Sequence, residues 1–104
     1  MPKTFVIYTL SRGSGVPAGA REAQQKIQKL VEEDRSRGAS VTVETTRIGL
    51  EGEQRLCVSY QNARDGDRAL ERARAIVKGV DLVNLVVEPC TPPGSKPPKK
   101  EATS

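Results

Sequence analysis

Three groups of residues in this chain carry types and spacings that suit chemistry. The first is Arg12-Gly13-Ser14-Gly15-Val16-Pro17-Ala18-Gly19, where closely spaced backbone N–H groups, an arginine and a serine could cradle a phosphate or carboxylate ahead of a helix. Its contacts would be Arg12, Ser14 and the amides of Gly13 and Gly15. Gly13, Gly15 and Gly19 space as G-x-G-x-x-x-G, one residue off the dinucleotide fingerprint, and no Gly-Lys-Ser/Thr follows as a P-loop needs. Ordinary loop chemistry explains the segment as well as an anion site does. The second group is Arg64, Arg68 and Arg72, an i, i+4, i+8 stripe able to track phosphates, with Arg74 and Lys78 nearby. Asp65, Asp67 and Glu71 interleave with it, which is the pattern of a solvated helix face held by i, i+4 pairs. The third is Cys57, a thiol whose reactivity would depend on Arg55 two residues away.

Composition removes most other chemistry. The chain has no His, so Ser-His-Asp and Cys-His catalysis, His-bearing zinc sites and most pH switches are excluded. Cys57 and Cys90 lie far apart and form no CxxC pair, so they read as reduced thiols of a cytoplasmic protein and not as a disulfide or a metal site. The carboxylates of Glu32-Glu33-Asp34, and of Glu51 with Glu53, fall in helix and turn contexts that serve solubility. Nothing calls for a cofactor, and a non-enzymatic role follows. The formal charge of +4 in 104 residues suggests an anionic partner. Part of that excess lies in the last segment, where Lys96, Lys99 and Lys100 face only Glu101, so nucleic acid finds weak support. The longest apolar run near the N-terminus is far short of the ~20 residues that span a bilayer.

The elements that must position these groups can be read from periodicity. Residues 4–10, Thr-Phe-Val-Ile-Tyr-Thr-Leu, are apolar on both alternating faces and predict a central strand. Ala23, Ile27, Leu30 and Val31 repeat at helical spacing, predicting a helix over 18–37 closed by Gly38. Residues 41–50 and 53–60 flank Glu51-Gly52 and read as a hairpin. Pairing Leu50 with Glu53 puts Val41, Val43 and Thr45 on one face with Leu56, Val58 and Tyr60, with Arg47 the charge on that face near the turn. The other face takes Thr42, Glu44, Thr46, Ile48, Leu50, Cys57 and Ser59. Leu70, Ala73, Ile76, Val77 and Val80 mark a second helix over 62–79, capped by Asn62 or Asp65. Residues 81–88 form a last strand, stopped by Pro89. From Thr91 to Ser104 no residue can anchor a core, so 1–90 is one domain and 91–104 a disordered Pro/Lys-rich tail.

The order β-α-β-β-α-β is the split βαβ pattern of the ferredoxin-like fold, an α+β two-layer sandwich. Its antiparallel four-stranded sheet has the order 4-1-3-2, with both helices on one face. The other face should be polar, yet it collects Ile48, Leu50, Cys57, Leu82 and Val86, together with either Phe5 and Ile7 or Val6, Tyr8 and Leu10. An apolar area of this kind marks an interaction surface, although scattered apolar residues are also ordinary on a protein surface. The simplest partner is a second copy of the chain, giving a homodimer through the face or the hairpin edge. Another protein is the alternative. Base stacking as in an RNA-recognition motif is excluded, because Phe5 and Tyr8 differ in parity and Tyr60 points to the core.

Overall fold

The computed structural model describes residues 2–90. The elements are β1 (Lys3–Thr9), α1 (Ala18–Ser36), β2 (Val41–Arg47), β3 (Gln54–Tyr60), α2 (Ala63–Val77) and β4 (Val83–Val86). The segment expected to be a disordered tail, 91–104, lies outside the described residues. All strand pairs are antiparallel and the sheet order is β2-β3-β1-β4, the expected 4-1-3-2 order counted from the other edge.

β1 is central because its sequence can be buried on both faces. Phe5, Val6 and Ile7 are consecutive and all fully buried. Phe5 and Ile7 join Val41, Leu56, Val58, Tyr60 and Val83 beneath Ile27, Leu30 and Val31 of α1 and Ala69, Leu70 and Ala73 of α2. Both helices therefore cover one face. Each such aliphatic side chain contributes about 1.5–3 kcal/mol through its removal from water. Val6, Tyr8, Arg55 and Cys57 occupy the opposite face, since they pair as Val6 with Cys57 and Tyr8 with Arg55.

Local chemistry sets the ends of the helices. The Asn62 side chain accepts from the amides of Arg64 and Asp65 at 2.9 and 3.1 Å, the capping expected of it. α2 then lies so close to the sheet that a Cβ at Gly66 would overlap the Lys3 side chain, which requires glycine there. After α1, Gly38 takes a φ of +102°, open to glycine at little cost.

The hairpin differs from expectation by two residues. Arg47 pairs with Gln54, and the Ile48 amide donates to the Glu53 carbonyl at 3.0 Å. The Glu53 carboxylate folds back to accept from the Glu51 amide at 2.9 Å, filling the space beside Gly49. This widens the turn beyond Glu51-Gly52. A slip of two preserves parity, so the faces stand as expected. The last strand is also shorter than 81–88, because Leu82 has a φ of +62°, a left-handed conformation that interrupts the extended run.

Candidate functional site

The outer face of the sheet is covered in part, over Tyr8, Arg55 and Cys57, by the chain's own residues 88–90. Val86 pairs with Val6 on β1, and beyond it the backbone turns back across the sheet. Glu88 accepts a hydrogen bond from the Tyr8 hydroxyl, and its carboxylate lies 3.1 Å from the Arg55 guanidinium. Arg55 also donates to the carbonyls of Pro89 and Cys90 at 3.0 and 3.1 Å. Its side chain is only 12% exposed. Burial works against the Arg55 charge, but the hydrogen bonds that Arg55 donates to Tyr8 and Glu88 outweigh it and raise the pKa above its ordinary value. The cluster is a clamp: a charged donor fork gripping two carbonyls and a carboxylate.

Covalent bonding completes this strap. Cys57 and Cys90 form a disulfide with a Cα separation of 5.4 Å, so the expectation of reduced thiols is overturned. Distance along the chain concealed the pairing, because only the reversal after β4 brings Cys90 above β3. The bond also withdraws the ground on which a cytoplasmic location rested, since disulfides persist in oxidising surroundings. Cys57 is fully buried. Among the described residues no helix is long and apolar enough to cross a membrane, and no group of His, Cys, Asp or Glu could hold a metal ion.

The expected anion-binding residues are divided between opposite ends of the sheet. The Gly13–Gly15 loop follows the Thr9 end of β1, and Arg12 pairs there with Asp81 at 2.9 Å. Gly13 and Gly15 both have positive φ, and the Gly13 amide is taken by the Ser11 hydroxyl at 2.9 Å. Ser14 is exposed in the same loop. This is a tethered connection. α2 begins just after Tyr60, at the other end, where Tyr60 pairs with Lys3 and Val41.

At that second end a cleft of about 460 Å³ opens between the C-terminus of α1 and the first turns of α2. Asp34, Arg37, Asp65, Arg68 and Arg72 line it around Gly38 and Ala39. Arg37 pairs with Asp34 and Arg68 with Asp65, each at 3.1 Å. The buried Tyr60 hydroxyl donates to the other Asp34 oxygen at 2.6 Å. Burial, then the Asp34 hydrogen bond and charge, hold the Tyr60 pKa well above the ordinary tyrosine range. Arg64 is exposed but does not line the cleft. Sequence periodicity found Arg68 and Arg72. It missed Arg37 and Asp34, which reach the cleft only through the packing of α1 against α2.

The five expected interface residues do not form one patch. Cys57 lies under the strap, and Leu82 is half-buried at the turn before β4. Val86 is 39% exposed on β4 at one edge, whereas Ile48 and Leu50 are 44% and 94% exposed beyond the end of β2 at the other. No protein-family model matches this chain, and no curated protein matches it either. The functional reading therefore rests on the geometry above.

Proposed function

We propose that this chain is a non-enzymatic self-association module that forms a homodimer edge to edge through β2 and the hairpin tip. One observation carries the reading: β2 is an outer strand of seven residues whose free edge continues into the exposed Ile48 and Leu50. Outer strands are commonly protected by shortness, proline, lysine or a bulge. β4, the other edge, has only four residues. β2, Val-Thr-Val-Glu-Thr-Thr-Arg, contains neither proline nor lysine.

The preferred register is a two-fold antiparallel pair centred on Thr45. It sets Val43 opposite Arg47, Glu44 opposite Thr46 and Ile48 opposite Thr42. Helix-facing residues stay on one side of a continuous sheet and no like charges face each other. A register centred on Glu44 would oppose two carboxylates. The strap across the outer sheet face supports the edge route over face-to-face packing.

A charge pair at one position tests the proposal. Thr46 is exposed, so substituting it leaves the core untouched. Sedimentation equilibrium is expected to give twice 11.3 kDa for the native chain at roughly 100 μM. Thr46→Glu, which sets a second carboxylate against the partner copy's Glu44, should weaken the dimer about tenfold, and Thr46→Lys should tighten it. A native chain that stays monomeric, or two variants that behave alike, would sink the reading.

A further inference from the structure

The cleft between α1 and α2 has a character the dimer does not need. It gathers three guanidiniums, Arg37, Arg68 and Arg72, against two carboxylates, Asp34 and Asp65. Both carboxylates are already engaged. Asp34 accepts from Tyr60 and Arg37, and Asp65 accepts from Arg68. They act as tethers that orient two arginines. A guanidinium has five N–H donors, and each tether is a single bond, which leaves most of the fork of Arg37 and Arg68 unspent. The side chains of Arg37 and Arg68 are 65% and 66% exposed, so those donors are accessible. Arg72 forms no ion pair among the described residues, although it borders the same space. The Tyr60 hydroxyl donates to the second oxygen of Asp34 at 2.6 Å, so both oxygens of that carboxylate are engaged.

We infer that this cleft is a binding site for a phosphate group, with Arg72 as the principal contact and Arg37 and Arg68 closing on it from either side. The formal charge of the lining is +1, three arginines against two aspartates. A dianionic phosphate gains from all three forks, whereas a single carboxylate can occupy only one of them bidentately. At about 460 Å³ the cleft admits a phosphate carrying a small organic group. Gly38 and Ala39 line it without bulk, and their backbone lies within the same wall. The site is independent of the β2 edge, so the failure of one proposal leaves the other standing.

Free phosphate, a small phosphate ester and a nucleic-acid backbone share this chemistry, and titration separates these sources. Inorganic phosphate, a nucleoside 5′-monophosphate and a short RNA lacking terminal phosphates would each be added to the isotope-labelled full chain, reading backbone amides and arginine Nε–H signals by NMR. The expected result is saturable shifts confined to Gly38, Ala39 and the guanidiniums of Arg37, Arg68 and Arg72, present with the first two ligands and weaker with RNA. Arg72→Gln should weaken phosphate binding about tenfold, and Arg64→Gln, outside the cleft, by less than about twofold. Both positions are exposed, and an unchanged amide spectrum verifies the fold of each variant. Non-saturating shifts spread over surface arginines would overturn the site. So would equal losses for Arg64→Gln and Arg72→Gln, or RNA binding tighter than phosphate with equal dependence on Arg64, Arg68 and Arg72, which would assign the whole helix stripe to nucleic acid.

Discussion

Tyr60 shows how one side chain serves both the core and a polar site. Its ring is fully buried among the helix-facing residues, and its hydroxyl reaches Asp34 at 2.6 Å. Because its folded pKa is raised, the neutral form is favoured in the folded state. The resulting stability is fully present below the unfolded value near 10 and is lost as pH rises toward the higher folded value. Native stability measured by urea unfolding should therefore fall as pH rises above about 10, and Tyr60→Phe should flatten that dependence. The same variant should cost about 1 kcal/mol at neutral pH through the lost hydrogen bond. Equal slopes for the two proteins above pH 10 would remove Tyr60 as the source. The core-facing parity of Tyr60 was legible from strand alternation. Its partner was not, because Asp34 lies in a run of charged residues that reads as solvated helix surface.

Among the elements, periodicity located all six, since helix and strand spacing arise from which positions must leave water. Boundaries depended on features that spacing does not carry. A carboxylate folding back into the hairpin turn and a left-handed backbone at Leu82 moved the ends by a few residues. The strap after β4 was the larger omission. Nothing in Val87-Glu88-Pro89-Cys90 announces a reversal across the sheet, so its partners Tyr8, Arg55 and Cys57 appeared to be an open surface. The strap makes a specific demand on stability. Cys57 and Cys90 are separated by 33 positions, and removing a cross-link over such a loop costs roughly 2–4 kcal/mol. Urea midpoints should fall accordingly for Cys57→Ser, and the native chain in dithiothreitol should match the variant. Identical midpoints with and without reductant would show that the bond contributes nothing. Arg55 should still hold part of the strap after reduction, because its grip on the Pro89 and Cys90 carbonyls does not depend on sulfur.

For the whole molecule, the β-α-β-β-α-β element order carried the sheet order, and the doubly apolar β1 fits the central position which that order demands. The arrangement of sites was not legible in the same way. Arg12 and Arg72 both read as anion-binding candidates, yet antiparallel pairing puts their segments at opposite ends of the sheet. β1 and β3 have neighbours on both sides, and β2 has one. Amide exchange in the monomer should thus be slowest in β1 and β3, with alternate amides of β2 exchanging freely. Edge-to-edge dimerisation predicts that these β2 amides slow as protein concentration rises, while β4 amides do not change. Protection appearing at β4 alone would place the association elsewhere.

The bond between Cys57 and Cys90 also makes a ring of β3, α2 and β4. A single peptide cut anywhere within that ring leaves the protein in one covalent piece. Tension applied to the chain beyond Cys90 passes through sulfur into β3 and meets the β1–β3 ladder in the middle of the sheet. α2 and β4 lie outside the load path, so the strand at the edge is shielded from a pull that would otherwise peel it first.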